Sequence, residues 1–102
     1  MFTYIVLSCD ELPESIRNQV IDVRNTLCEY DFLCGMVMEV TEEQAPVSNI
    51  IHIRMDVNCM TWNGKPLEVS IHPDMEVCKY KFDEEYEFIC IYDLIYCMNH
   101  VK

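Results

Sequence analysis

Glycine is scarce in this 102-residue chain, and basic residues are far fewer than acidic ones. Gly35 and Gly64 are its two glycines, so the glycine-rich loops that hold nucleotide phosphates are excluded. The seven Lys and Arg residues are scattered, whereas nucleic-acid binding depends on clustered positive charge. The longest apolar stretch, residues 88–98, is interrupted by Asp93 and is shorter than the roughly 18 residues of a membrane span. The sequence therefore predicts direct binding to neither nucleic acid nor membrane.

The length and composition predict a single globular domain over residues 1–102. Single domains cluster at about 100 to 150 residues, and a chain of this size has room for one core. Apolar residues make up 51% of the chain and charged residues 25%, which is ordinary for a globular protein. Because only two glycines and four prolines interrupt the sequence, we do not expect disorder.

Seven cysteines are many for this length, but their pattern does not predict disulfides. The number is odd, and residues 1–14 lack the basic start and the small-residue cleavage site of a signal peptide. Most of the cysteines occupy positions typical of buried apolar residues, where a free thiol packs as a small hydrophobe. We therefore expect reduced thiols in a cytoplasmic protein. The seven are Cys9, Cys28, Cys34, Cys59, Cys78, Cys90 and Cys97.

Metal and redox chemistry have only partial signatures. Structural zinc sites usually combine two pairs of closely spaced ligands, and Cys97 with His100 could supply one pair. The second pair is missing, and no Cys-x-x-Cys motif occurs. We expect no metal and no cofactor, although a contribution of Cys97 and His100 to a metal site stays open from the sequence.

The N-terminal part of the chain predicts a strand followed by an amphipathic helix. Residues 2–7 are β-branched, aromatic and aliphatic, which is typical of a short buried strand. Ser8 or Asp10 can cap the helix that follows, and Pro13 suits its first turn. Apolar residues recur at helical spacing until the helix ends near Tyr30, and polar residues occupy the other side. The apolar set is Leu12, Ile16, Val20, Val23 and Leu27.

Alternating apolar and polar side chains predict the strands that come next, at residues 33–41, 51–57, 67–71 and 77–82. A last strand is predicted at about residues 86–92, followed by a short helical or extended tail, because this segment is rich in β-forming residues. Together the elements predict an α+β fold. It is a small two-layer sandwich with an antiparallel-rich sheet of five or six strands and one long amphipathic helix near the N-terminus.

The turn between the two central strands sets their predicted register. A three-residue loop at residues 62–64, with its glycine in the left-handed conformation, pairs Val57 with Val69 and Met55 with Ile71. A two-residue loop would put the apolar residues of the two strands on opposite faces. The chosen register predicts three pairs on the polar face: Arg54 with His72, His52 with Asp74, and Asp56 with Ser70.

This polar face is a candidate ligand site formed by His52, Arg54, His72 and Asp74. The two histidines could act as acid and base on an anionic substrate held by the arginine, since such chemistry needs paired titratable groups. A solvated sheet face with ordinary cross-strand pairs explains the same pattern, and such pairs are common on exposed sheets. No nucleophile motif accompanies them.

Acidic residues dominate the charge, with 18 Asp and Glu and a formal net charge of −11. Such a surface repels nucleic acid and anionic membranes but attracts basic protein surfaces. Carboxylates on a rigid sheet edge could occupy the basic groove of a nucleic-acid enzyme, with Tyr80, Phe82 and Tyr86 adding contact area. An ordinary solvated loop explains the same residues. The predicted partner-binding residues are Glu39, Glu42, Glu43, Asp74, Glu76, Asp83, Glu84, Glu85 and Glu87.

Three functions are open from the sequence. The one that we expect is a non-enzymatic inhibitor that blocks or sequesters a basic, nucleic-acid-handling protein by mimicking nucleic acid. In composition alone, the chain is similar to small inhibitors encoded by phages and mobile elements, such as anti-CRISPR, anti-restriction and immunity proteins. The second function is small-ligand binding or a minor enzymatic site on the histidine face. The third is a structural subunit or homodimer that pairs through an open sheet edge.

Overall fold

The computed structural model describes residues 2–30, 37–55, 66–84 and 86–100. Within these ranges the chain forms six strands and two α-helices, besides a short 3-10 turn at Cys9–Glu11. The elements are β1 (Phe2–Val6), α1 (Glu14–Glu29), β2 (Met38–Glu43), β3 (Ile50–Met55), β4 (Leu67–His72), β5 (Val77–Asp83), β6 (Tyr86–Phe88) and α2 (Ile91–His100).

The six strands form one antiparallel sheet in the order β1-β2-β3-β4-β5-β6. β1 and β2 are neighbours although α1 lies between them in the chain. The apolar side of α1 and the inner face of the sheet supply one common core. The predicted α+β sandwich with a long N-terminal helix is therefore confirmed, and α2 is a second helix that the prediction left as a short tail.

The start of α1 is set by Pro13 and not by the predicted caps. The Ser8 hydroxyl accepts a hydrogen bond from the backbone N–H of Asp10 (3.3 Å), and the Glu11 carboxylate accepts one from the N–H of Ser8 (3.0 Å). These bonds cap the separate 3-10 turn. A residue before proline is forced into extended backbone, so Leu12 interrupts the helical path and α1 begins only at Glu14.

The core fills the space between α1 and the inner sheet face. Ile16, Val20, Val23 and Leu27 are buried on the helix, as the helical spacing predicted. The sheet contributes alternate residues of its strands, which are Met38, Val40, Ile51, Ile53, Met55, Leu67, Val69, Ile71, Tyr80 and Phe82. The same strands point their polar side chains away from the helix, which confirms the predicted alternation on β2 to β5.

β1 is exposed, although a buried strand was predicted. Phe2 and Ile5 are 63% and 71% exposed, and Val6 is its one buried residue. The physical reason is position, because β1 lies at the edge of the sheet and has a neighbour on one side only among the described strands. The predicted burial of most cysteines is also wrong, since Cys28 and Cys90 are exposed. None of the five described cysteines forms a disulfide.

The register of β3 and β4 differs from the prediction by four residues. Met55 pairs with Leu67 where Ile71 was predicted, and Ile53 pairs with Val69. Because four is an even number, the same side chains stay inside. The described pairing runs from Ile51 with Ile71 to Met55 with Leu67. The predicted loop at residues 62–64 lies outside the described residues.

The outer-face pairs change with this register. The three predicted pairs, Arg54 with His72, His52 with Asp74, and Asp56 with Ser70, are wrong. In their place Arg54 pairs with Glu68 and His52 pairs with Ser70.

The C-terminal segment is a short strand and a helix, where one strand of about residues 86–92 was predicted. β6 ends at Phe88, and Ile91 begins α2. In a helix, Leu94 is completely buried in the core, and Ile91 and Ile95 pack against the same core. Leu94 and Ile95 follow Ile91 by three and four residues, which places all three on one side of the helix. Asp93 in the first turn also favours a helix through the helix dipole. No helix in the described ranges has the length and apolar character to cross a membrane.

We predict that Leu27→Ala destabilises the fold strongly. Leu27 is fully buried at the end of α1, and loss of a buried leucine side chain costs about 2–5 kcal/mol through the cavity it leaves. Val47 is 81% exposed in the loop between β2 and β3, so Val47→Ala is the matched control and should change stability by less than about 0.5 kcal/mol. Chemical unfolding followed by circular dichroism measures both. Equal stability of the two variants would contradict this account of the core.

Candidate ligand site on the outer face of the sheet

A row of charged side chains of alternating sign crosses the outer face, the side of the sheet opposite α1. Each member lies directly opposite the next on the neighbouring strand. Directly opposed residues of opposite charge attract each other, so the order favours this strand alignment. From β2 to β6 the row is Glu39, Arg54, Glu68, Lys81 and Glu87.

A second row lies beside the first, two residues away along each strand. It carries hydroxyl groups, an imidazole and an amine. Its members are Thr3, Thr41, His52, Ser70 and Lys79, again paired from strand to strand. The hydroxyl oxygens of Thr3 and Thr41 lie 3.1 Å apart. The outer face is therefore polar and able to form hydrogen bonds from β1 to β5.

The His52 ring is held from both sides. Its Nε2 lies 2.6 Å from the Glu43 carboxylate, and its Nδ1 lies 2.9 Å from the Ser70 hydroxyl oxygen. A carboxylate can only accept, so Nε2 carries the proton in the neutral ring, and Nδ1 accepts a hydrogen bond from Ser70. The imidazole thus has a fixed orientation and a defined tautomer.

These rows border a hollow of about 450 Å3 on the outer face. We call it the outer-face hollow. Three of its side chains, Arg54, His72 and Lys79, form no hydrogen bond or ion pair with any described residue. Lys81 differs, because its amine donates to Glu84 (3.0 Å). That hydrogen bond raises the pKa of Lys81, although burial acts in the opposite direction.

The structure brings together three of the four residues predicted for the ligand face. His52, Arg54 and His72 line the outer-face hollow, whereas Asp74 lies exposed in the turn after β4 and does not. Ser70 and Lys79 line the hollow too and were missed. The correct strand register would have found Ser70 opposite His52, and the alternation of β5 already pointed to Lys79.

The predicted partner-binding residues are divided among several places. Asp74 and Glu76 lie in the turn at one end of β5, and Glu84 lies in the turn at the other end. The two turns are about 20 Å apart, because a strand of this length rises about 3.4 Å per residue. Glu87 faces the outer-face hollow. The densest acidic segment of the sequence is thus not one cluster in space, and Glu85 and the side chain of Asp83 lie outside the description.

The second acidic segment is divided between the two faces of the sheet. Glu39 borders the outer-face hollow, and Glu43 accepts from His52. Glu42 faces the other side, where it accepts a hydrogen bond from the Tyr4 hydroxyl (3.3 Å). Tyr4 has a raised pKa through burial and the nearby Glu42 charge.

The aromatic residues that were expected to widen an acidic contact surface point inward. Tyr80 and Phe82 belong to the core, and Tyr86 packs against it. Burial raises the pKa of Tyr80 to about 12, with smaller effects of Cys78 and Cys90. Tyr80 and Phe82 therefore cannot supply contact area to a docking protein, and Tyr86 is half-buried.

We predict that neutral His52 holds one tautomer. Long-range proton–nitrogen spectra should show protonated Nε2 and unprotonated Nδ1, because the Glu43 carboxylate accepts from Nε2. Glu43→Ala should move the two nitrogen shifts toward those of a tautomer mixture. Glu76→Ala is the control, since Glu76 is exposed in the turn after β4 and should leave the His52 spectrum unchanged. If the Glu43 variant gives the native spectrum, this hydrogen bond does not persist in solution.

Neither a metal cluster among the described residues nor a matching protein guides the interpretation of this site. No group of three or more His, Cys, Asp and Glu side chains in the described ranges is arranged to hold a metal ion. Cys97 lies on α2, and the side chain of His100 is outside the description. No protein-family model, curated protein or solved structure matches the chain. Its function has to be inferred from the geometry of the outer face.

Proposed function

We propose that this protein binds a small anionic molecule in the outer-face hollow. The observation that carries the proposal is the meeting around one depression of three basic side chains, Arg54, His72 and Lys79, that form no hydrogen bond or ion pair with a described residue. Ligand pockets usually measure about 300–1,000 Å3, and this one lies within that range at about 450 Å3. Charge-assisted hydrogen bonds to a carboxylate or phosphate would satisfy the donors.

The neighbouring carboxylates narrow the class of ligand. Glu39, Glu68 and Glu87 border the same hollow and would repel a bare anion. A ligand that also carries hydroxyl or amino groups would donate hydrogen bonds to them, and Ser70 and Thr41 would add further polar contacts. The site therefore suits a carboxylate or phosphate with hydroxyl or amino substituents.

Binding, and not hydrolysis, is the role that we propose for this face. Ser70, His52 and Glu43 form a hydrogen-bonded chain of the residue types that hydrolases use. Acyl transfer also needs N–H donors aimed at the developing oxyanion. Ser70 lies within β4, which pairs with β3 on one side and β5 on the other, so the backbone N–H groups of this strand are used by the sheet. We propose that the hydrogen bonds from Ser70 and to Glu43 hold the His52 ring in place as a contact for the ligand.

We predict that Arg54→Gln weakens binding of small anions at least about tenfold, since a hydrogen bond to a charged group contributes about 1.5–3 kcal/mol. The probes are inorganic phosphate, citrate and serine phosphate, titrated into labelled protein and followed by amide NMR shifts. Arg24→Gln, on α1, removes the same charge away from the hollow and is the matched control.

The shifts should map to β3, β4 and β5. Absence of saturable shifts with every probe, or equal loss of affinity in both arginine variants, would contradict a site in the outer-face hollow.

A second candidate function is docking to a basic protein, as the sequence first suggested. The observation that favours it is the segregation of charge. The described part of the outer face holds four of the 18 acidic residues and three of the seven basic ones, so the remaining sequence contains 14 acidic and four basic residues. We propose that this acidic remainder sequesters or blocks a nucleic-acid-handling partner by electrostatic attraction.

We predict that charge reversal at one end of β5 weakens this docking more than reversal at the other end. The two variants are Asp74→Lys with Glu76→Lys, and Glu84→Lys with Glu85→Lys. Each is the control for the other, because the two turns lie about 20 Å apart.

The measurement is the salt concentration that releases basic nucleic-acid enzymes from the immobilised protein, with duplex DNA as competitor. The double variant that removes the docking contacts should release the bound enzymes at lower salt, because it makes fewer ionic contacts with them. Identical retention by both variants, or retained proteins that DNA does not displace, would count against nucleic-acid mimicry.

A further inference from the structure

We propose that two copies of this chain associate through the free edges of their β1 strands, which pair antiparallel about a two-fold axis. β1 pairs with β2 on one side, and no described strand occupies its other side. Its outer edge therefore presents backbone N–H and C=O groups that another strand can bind. The pairing would join two six-stranded sheets into one continuous sheet. This proposal is independent of both candidate functions.

The two edges of the sheet differ in a way that selects β1. The opposite edge is β6, which has three residues, contains Glu87 and leads into α2. β1 has five residues and no proline, and it has none of the charges that commonly protect an edge strand from pairing. The long, uncharged edge is the one suited to association.

The absence of charge along β1 favours a second copy of this chain as the partner of its free edge. Each chain has a formal net charge of −11, so two copies repel each other over most of their surfaces. Residues 2–9 carry no charged side chain, so two copies can meet along this segment without opposing carboxylates of their own. The nearest acidic side chain on the inner face, Glu42, already accepts from Tyr4. A basic partner would gain nothing from this uncharged segment.

The side chains of β1 suit pairing about Tyr4. In that arrangement Phe2 lies opposite Val6 of the second copy, and Ile5 lies opposite Thr3. Phe2 and Ile5, now 63% and 71% exposed, would pack on opposite faces of the joined sheet. Leu7 is also exposed beside this edge. The pairing thus covers apolar side chains that have no described cover in one copy, with a small interface typical of weak complexes.

The test is sedimentation velocity on the full chain with no tag at its N-terminus. At about 100 μM, an interface of this size should give a substantial fraction of particles with twice the 12.1 kDa chain mass. Ile5→Glu should raise the dissociation constant about 100-fold, because each copy loses a buried isoleucine and gains a charge. Val47→Glu makes the same change at another exposed apolar position and should leave association unchanged.

Salt and hydrogen exchange give independent readouts. Added salt should strengthen the dimer by screening the repulsion between acidic copies, and amide exchange in residues 2–6 should slow as protein concentration rises. A monomer at every concentration and salt tested would overturn the proposal. A dimer that survives Ile5→Glu, or that shows no protection of β1, would overturn it as well by locating the contact elsewhere.

Discussion

The structure depends on one helix covering one face of a six-stranded sheet. The apolar stripe of α1 and the inner side chains of the strands bury each other, and this contact supplies most of the core. Leu94 of α2 joins the same core, and neither described helix covers the opposite face, so that face stays in contact with water. Most of its side chains are polar for that reason, with Ile5 of β1 as an exception, and the rows that border the outer-face hollow follow from the same constraint. The ligand site that we propose on this face uses residues that the fold already requires to be hydrophilic.

The elements that were predictable are those in which periodicity and burial agree. The spacing of Ile16, Val20 and Val23 specified α1, and the alternation around Ile51 and Ile53 specified β3, because each pattern has one way to bury its apolar side. The C-terminal segment was not predictable in this way. Its aromatic and β-branched residues suit a strand, but Leu94 reaches the core only in a helix, and that depends on tertiary packing.

The candidate site was predictable in residue type and not in pairing. Alternation placed His52, Arg54 and His72 outward, but the register inferred from a turn at residues 62–64 displaced one strand against the other by four residues. That displacement preserves the inside and outside of every residue, so hydrophobicity alone could not reveal it. The acidic segments show a related limit, since closeness in sequence between Asp74 and Glu84 becomes separation once β5 extends between them.

The alternating charged row on the outer face has a consequence for how the strands find their alignment. Buried apolar residues cannot distinguish a hairpin from one that has slipped by two residues, because the same side chains stay inside. The charges can. A two-residue slip between β3 and β4 would set Arg54 against Ser70 in place of Glu68, so the attraction between the two opposite charges would be lost. The row thus favours the native alignment during folding, and a neutral outer face would leave several alignments close in energy.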